Sequence, residues 1–429
     1  MLETKKQEMD QERVPFRIML SVLVLWILAQ IVVVIYFWGE PQGSDQGAYI
    51  DIARRCFAHN EWYPMQQDIY SSYIWAPGFI NFLILQLKAW GTLNLNMILN
   101  LLMNLLIVGE IFYLGERFFN RSTAIWAVIL WCLLYSNLMI VAPAGTEIPF
   151  LWLSLTAFCF CLSPRIYLLI VAGVLFALAN WIRPLVIIFV LTTLAFMVIK
   201  KFKPVNFLAL LLPLFLTVFV IGKATEQKTG YFVFQSSTSG ANLIMTANDK
   251  AYGGVAVSVL TDSTSIAYIP DAGSFTFAQK DSIWKARAVA WIKEHPVKFA
   301  KLYLLKFGGL YVEDSWADRP LLGGGSFVSS YVVDGKVTQA AFVGQMTIRV
   351  LKSIGYYLVL LLFFYALIVH RKSLLSEKGI LLMILITGTL LTNIFSVSPR
   401  YHYPFVFVLV LFAAYGIDGI LKERSPVWK

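Results

Sequence analysis

The sequence predicts an all-α polytopic membrane protein with about ten transmembrane helices and two long extracytoplasmic loops that carry interfacial helices. Three observations predict it. Of 429 residues, 58% are hydrophobic and 14% charged, with a mean hydropathy of +0.69, whereas a soluble chain carries roughly 25% charge. Apolar runs of the length a bilayer requires, roughly 17–25 residues, recur along the chain. Lys and Arg cluster in alternate connections between those runs, as the positive-inside rule expects. The net charge of +10 therefore reports orientation. No Lys/Arg stripe interleaved with aromatics marks a soluble segment, which excludes nucleic acid as a partner.

Residues 1–17 form a cytoplasmic N-terminus, because Lys5, Lys6, Arg13 and Arg17 precede the first apolar run, Ile18–Trp38. That run is too long for a signal-peptide core and lacks a small-residue cleavage site, so it reads as an uncleaved anchor. Nine more candidate spans follow at 93–114, 124–142, 148–162, 166–182, 184–199, 206–222, 353–369, 380–397 and 402–421. An even number returns both termini to one side. Arg117 and Arg121, Arg165, Lys200, Lys201 and Lys203, Arg371 and Lys372, and Lys422 with Arg424 then all fall cytoplasmic. Residues 77–90 are apolar but too short to span and contain Lys88, so they read as a helix lying at the interface.

The chain thus divides into an N-terminal transmembrane module, 18–222, whose first external loop is 39–92; an extracytoplasmic region, 223–352; and C-terminal transmembrane helices, 353–429. In the second region Gly, Ser and Thr concentrate at 236–240 and 323–330. Between them lies an amphipathic stretch, Ser282–Tyr311, with Trp284, Trp291 and several lysines. No internal repeat is visible. There is no Walker A motif and no HExxH pair. The four cysteines have neither disulfide-framework nor zinc-ligand spacing.

Ionisable groups at membrane depth are expensive, so their position carries information. Threaded this way, Asp45, Glu147, Arg183 and Arg400 all land at the extracytoplasmic face. Asp45 and Tyr49 are spaced i,i+4 in Ser-Asp-Gln-Gly-Ala-Tyr. An acid at the mouth of a cavity can serve as a general base toward a hydroxyl; Ser44 or Asp45 can equally be an ordinary helix N-cap. Glu147, in Pro-Ala-Gly-Thr-Glu-Ile-Pro, either shares that proton work or is a helix-start carboxylate favoured by the dipole. Arg183 and Arg400 each sit beside a proline that interrupts a span. Guanidinium is the side chain suited to bidentate phosphate contact; the plainer alternative is snorkelling to headgroups.

Asn96, Asn100 and Asn104 recur every four residues and read as interhelical hydrogen-bonding glue. Glu110, deeper in the same helix, reads as a structural pairing. Asn242, in Gly-Ala-Asn-Leu-Ile-Met-Thr-Ala-Asn-Asp, either contacts sugar hydroxyls or belongs to a plain turn and strand.

These motifs resemble a family. Ser44–Arg55 (SDQGAYIDIARR) followed by a Tyr-x-x-Ala-Pro-Gly stretch is similar to the first external loop of the GT-C membrane glycosyltransferases, in the branch of protein O-mannosyltransferases and the lipid A aminoarabinose transferase. The turn at Glu147 resembles that family's second acidic loop, Asn180–Pro184 its Arg-Pro turn, and Ser398–Phe405 (SPRYHYPF) the entry to its final helix. Order and position match across nearly the whole chain. Two departures leave the acceptor open: one acid in the first loop instead of a pair, and Glu in place of Asp in the second.

The resemblance implies inverting transfer of a sugar from a polyprenyl-phosphate donor, with no cofactor beyond that donor. Asp45 is then the base and Glu147 its assistant. Arg183 and Arg400 hold the phosphate, with Tyr49, Tyr401, His402 and Asn242 also contacting substrate. The Trp- and Lys-bearing stretch 284–306 would seat the lipid headgroup. Expected partners are membrane lipid, the lipid-linked donor and a protein, lipid or glycan acceptor. The expected location is the bacterial inner (cytoplasmic) membrane, with the site facing outward. Lone acids without a cluster argue against a built-in metal site. The rival readings are a transporter or flippase of a polyprenyl-linked saccharide, and a non-catalytic subunit of an envelope glycan assembly system. The first calls for charges through the membrane interior; the second does not require four charges to converge.

Overall fold

The computed structural model describes residues 2–322, 332–333, 336–337, 339–395 and 397–424. The first apolar run is the second half of one helix, α1 (Leu2–Tyr36). It is followed by α2 (Ser44–Ala58), α3 (Pro77–Trp90), α4 (Leu95–Phe118), α5 (Arg121–Cys132), α6 (Tyr135–Met139), α7 (Glu147–Cys161), α8 (Ile166–Ile182), α9 (Val186–Ile199) and α10 (Pro204–Thr229). Next come α11 (Ser239–Ile244), α12 (Phe277–Glu294), α13 (Pro296–Tyr311), α14 (Arg319–Leu322), α15 (Gln339–Lys352), α16 (Ile354–Val369), α17 (Lys378–Thr392) and α18 (Val406–Arg424). The strand content described is one pair, Val332–Val333 against Lys336–Val337.

Among the described residues, four helices are long and apolar enough to cross a membrane: Val14–Tyr36, α4, α10, and Pro399–Lys422, which runs through a 3-10 turn into α18. The end of α15 and α16, bent by 57°, make a fifth if they are one span. The apolar helices α5, α7, α8, α9 and α17 are shorter. At 1.5 Å per residue they rise only about 18–26 Å, less than the ~30 Å hydrocarbon core. Their breaks have sequence causes. Pro143 and Pro149 bracket the entry to α7, Pro184 follows the end of α8, and Pro399 and Pro404 precede α18. Proline lacks the N–H that an interior helical turn needs.

The core is organised around α18. Val406–Ala414 contains no polar residue, so this helix is apolar on every side and has to be enclosed. Phe405–Ala414 are all at 2% exposure or less, packed against α16 and α5. α1 and α10 lie at the periphery and turn Val24, Leu208 and Phe215 outward, as a lipid-facing surface does. α10 is seated closely on α8: a Cβ at Gly173 would stand 2.3 Å from the Leu210 carbonyl oxygen, so a small residue is what permits this approach.

Three expectations need correction. The segment 124–142 is not one helix; α5 stops at Cys132 and only the short α6 follows before α7. The asparagine stripe explains how the chain tolerates this. Asn100 Nδ2 donates to the carbonyls of Val141 and Pro143, both at 3.2 Å. Asn104 and Gln30 donate to the Asn137 carbonyl at 3.1 and 2.7 Å, and Asn137 donates to Trp131 at 2.9 Å. Side-chain amides from α1 and α4 thus stand in for the helical hydrogen bonds that irregular backbone inside protein must otherwise lose. Asn96, the third of the stripe, accepts from Gln86 at 3.1 Å. Glu110 likewise has a structural partner, the Thr156 hydroxyl.

Second, α3 is packed into the protein along one face and not simply laid on it: Phe79, Ile80, Leu83 and Ile84 are fully buried, while Leu85 and Trp90 are exposed. Third, the tryptophans of the amphipathic stretch do not face outward. Trp284, Ala288 and Trp291, at i, i+4, i+7, form the inward face of α12 and fill a small second core with Ile244, Ala267 and Leu302. Their indoles donate to the Ala267 carbonyl at 2.7 Å and to Asp249 at 3.1 Å. Lys306 is buried as well, donating to the Phe395 carbonyl at 3.1 Å. The Gly/Ser-rich stretch 323–330 lies outside the described residues.

Candidate functional site

α2 begins at Ser44 with Gly43 as its N-cap, and no side chain caps it. The Gly43 N–H donates to the Pro320 carbonyl at 2.7 Å, which ties the start of α2 to the segment after α13. The Asp45 carboxylate is therefore not spent on its own helix. It pairs with the Arg400 guanidinium, which stands in the 3-10 turn Pro399–Phe405 before α18. Glu147 opens α7, also without a side-chain cap, and its Oε1 accepts from Arg183 Nη1 at 2.9 Å. Arg183 closes α8 in extended backbone. Both guanidiniums lie over one ring, that of Tyr401, at 5.6 Å for Arg183 and 5.3 Å for Arg400.

The four charges read from the sequence are thus brought together as two ion pairs on one tyrosine. Side-chain exposure is 13% for Arg183 and 4% for Glu147, against 20% for Arg400 and 23% for Asp45. Arginines reaching for headgroups would be splayed outward; these are turned in. Burying such charges is unfavourable unless each has a partner, and here each has one. A guanidinium carries five N–H donors, so pairing with a carboxylate leaves capacity for an anionic ligand.

Glu147, Arg183 and Arg400 line a cavity of about 480 Å³, and Asp45 stands behind Arg400, outside the lining. Tyr49, Glu147, Arg183, Arg400 and Tyr401 make its polar end. Its apolar lining includes Leu185, Phe232, Phe234, Phe277 and Phe395, and residues 235–239 with Asn242 add neutral polar groups. Tyr49 is held edge-on by Trp75 at 4.9 Å and Phe79 at 5.6 Å. Burial pushes the Tyr49 phenol well above its ordinary value, and Glu147 pushes it further; the group meets the cavity as a neutral hydroxyl. Asn242 lines the cavity from α11, its amide donating to Thr238 Oγ1 at 3.2 Å.

The wall at residues 75–78 is locally strained. Ala76 takes a left-handed conformation, φ +38°, which costs about 1–2 kcal/mol for a residue with a Cβ. Its N–H donates to Ser236 Oγ at 3.0 Å. Gly78, two residues on, lets α3 rest on the backbone that ends at Arg183: a Cβ there would lie 2.7 Å from the Trp181 carbonyl carbon. Backbone on both sides cannot yield cheaply. We expect Gly78→Ala to cost about 1–3 kcal/mol through overpacking, read as a lower thermal midpoint in detergent. An unchanged midpoint would show that the contact between α3 and the end of α8 relaxes freely.

His402 does not join the cavity. It is fully buried, with Nδ1 2.7 Å from the Leu310 carbonyl and Nε2 3.4 Å from Asp314 Oδ1. Its ring stacks between Tyr311 at 5.6 Å and Tyr356 at 5.1 Å. The tight turn sends Arg400 and Tyr401 into the cavity lining and His402 away from it, so His402 braces the turn.

Sequence reading missed two features. The first is the acidic run Glu313–Asp318, which is buried throughout. Asp314 accepts from Ser136 Oγ at 2.7 Å and Asp318 from Tyr135 at 2.6 Å, while Arg319 and Lys352 neutralise Glu313 and Asp318. Three acids in six residues were a visible signal. The second is the Ser/Thr run at 236–240, read only as loop composition. Among the described residues no three His, Cys, Asp or Glu side chains come together as metal ligands.

No protein-family model matches the sequence, and no curated protein matches it. Solved structures match over most of its length. The Archaeoglobus fulgidus oligosaccharyltransferase in its apo form is 15% identical, with a TM-score of 0.48 over 94% of this chain and 51% of the other. The archaeal oligosaccharyltransferase AglB from Archaeoglobus fulgidus, in complex with an inhibitory peptide and a dolichol-phosphate, is 15% identical, with a TM-score of 0.47 over 94% and 50%. ArnT from Cupriavidus metallidurans bound to undecaprenyl phosphate is 12% identical, with a TM-score of 0.39 over 94% and 79%. The chain spans about half the length of the two archaeal structures.

Proposed function

We propose that this chain is an integral-membrane glycosyltransferase that moves a sugar from a polyprenyl-phosphate donor to an extracytoplasmic hydroxyl acceptor with inversion. One observation carries the reading: two carboxylate-paired arginines stack on a single tyrosine in the wall of a cavity that aromatic and aliphatic side chains also line. A lipid-borne sugar phosphate presents the complementary sequence of apolar chain, anion and polar group.

In this scheme the phosphate lies against Arg183 and Arg400, which bear the charge that develops as the bond from C1 to the phosphate oxygen breaks. The acceptor oxygen attacks C1 from the opposite side as its proton passes to a carboxylate. We assign that role to Asp45, whose side chain is several times more exposed than that of Glu147 and is reached past Arg400, whereas Glu147 lines the cavity but is held by Arg183. Glu147 then fixes the Arg183 fork, and Tyr49 supplies a neutral hydroxyl. The products are the inverted glycoside, free polyprenyl phosphate and protonated Asp45. The test is transfer from undecaprenyl-phosphate sugars by protein in nanodiscs, with undecaprenyl phosphate binding followed in parallel. The reading expects the carrier to bind and undecaprenol, without the anion, to bind far more weakly. Equal binding of the two would overturn it.

The proposal also places the site on the outer face of the bacterial inner membrane, with both termini and the loop at Arg117–Arg121 in the cytoplasm. Asn60 and Lys372 are both exposed on the protein. A membrane-impermeant maleimide applied to intact cells should label Asn60→Cys and spare Lys372→Cys. The reverse pattern would invert the orientation and remove the site from the side where the lipid-linked donor is expected.

A further inference from the structure

The cavity's neutral edge has a chemistry of its own. Gln235, Ser236, Ser237, Thr238 and Ser239 run along it, and Asn242 follows one turn into α11. The segment is set by backbone contacts and by its own hydroxyls, since Ser236 Oγ accepts from the Ala76 N–H, Thr238 Oγ1 from Asn242, and Ser239 Oγ donates to Asp281. Ser237 N–H donates to the Ile74 carbonyl at 2.9 Å, in an isolated antiparallel bridge. Gly240 N–H donates to Asp281 Oδ1 at 2.6 Å. A strip of hydroxyls and amides is therefore held in place before any ligand arrives, which lowers the ordering cost of binding.

The charges around this strip are equally informative. Among the described residues that line the cavity, the charged ones are Glu147, Arg183 and Arg400, and Glu147 is committed to Arg183. An ammonium on the ligand would find no uncommitted carboxylate and would face two guanidiniums. A carboxylate on the ligand would compete for the arginines that the phosphate requires. Hydroxyls and acetamido groups meet matching partners along residues 235–242 without displacing an ion pair.

We propose that the transferred group is an uncharged, hydroxyl-bearing sugar, read by the strip Gln235–Ser239 together with Asn242. This rests on the donor reading above. Reading sugar hydroxyls through pre-set donors and acceptors gives discrimination, because a group that leaves them unpaired loses their hydrogen bonds as well as its own.

The experiment measures binding of full-length protein in nanodiscs to bare undecaprenyl phosphate and to the same carrier bearing mannose, glucose, galactose, N-acetylglucosamine, glucosamine or glucuronic acid. At least one uncharged sugar should bind about tenfold tighter than the bare carrier, the worth of one or two net hydrogen bonds. Glucosamine and glucuronic acid should give no gain. In Gln235→Ala/Ser237→Ala the gain from the preferred sugar should shrink toward zero. Tightest binding of a charged sugar, or no gain from any uncharged one, would overturn the inference while leaving the donor class standing. Failure to bind even bare undecaprenyl phosphate would overturn the donor reading, and this inference with it.

Discussion

Asp45→Asn should abolish sugar transfer while undecaprenyl phosphate still binds, and binds at least as well as to the native protein. The amide keeps the shape of the side chain but accepts no proton, so loss of the general base should cost about 10²–10⁴ in rate. The second half of the expectation comes from the ion pair. Arg400 now shares its guanidinium with Asp45; with that carboxylate neutral, the arginine turns its full charge to the phosphate. A residue whose only job was to hold Arg400 would show the opposite combination, retained turnover with altered affinity. The helix-cap alternative is already weak, since the Asp45 side chain caps nothing and Asn caps about as well as Asp. Near-normal turnover in Asp45→Asn would reduce Asp45 to a counter-ion and move the base to Glu147.

Arg400→Ala should lose donor binding. Removing one partner of a partly desolvated charge contact typically costs about 2–5 kcal/mol, or roughly thirtyfold or more in affinity. Part of that loss is indirect, because Asp45 is left as an unpaired carboxylate facing the incoming phosphate. The double variant Asp45→Asn/Arg400→Ala should therefore recover some carrier affinity over Arg400→Ala alone, a coupling that a double-mutant cycle measures directly. Arg400→Lys should restore binding only in part, because the planar fork is lost. Donor affinity unchanged in Arg400→Ala would remove Arg400 from the phosphate site.

Much of this protein is legible without coordinates. Composition and apolar run length determine that it is a helical membrane protein, and nearly every apolar run read from the sequence contains one main helix, because burial of apolar surface is scored locally. The candidate site was legible for a related reason. Charges are so costly at membrane depth that Asp45, Glu147, Arg183 and Arg400 stood out against the chain's own charge bias. Prolines beside Arg183 and Arg400 marked where helices stop, since a missing N–H acts at its own position.

What only the tertiary structure decided concerns partners distant in sequence. That Asp45 pairs with Arg400 and Glu147 with Arg183, over one Tyr401 ring, depends on how α2, α7, α8 and α18 pack, and no periodicity encodes it. The break after α5 depends on amides supplied by α1 and α4. His402 and Tyr401 are neighbours with opposite fates because a tight turn separates their directions, and spacing alone cannot say which way each points. Trp284 and Trp291 looked like interfacial anchors but fill a small core, since an amphipathic face specifies burial without naming what buries it. Local sequence fixes which groups need a partner; only the packed chain chooses the partner.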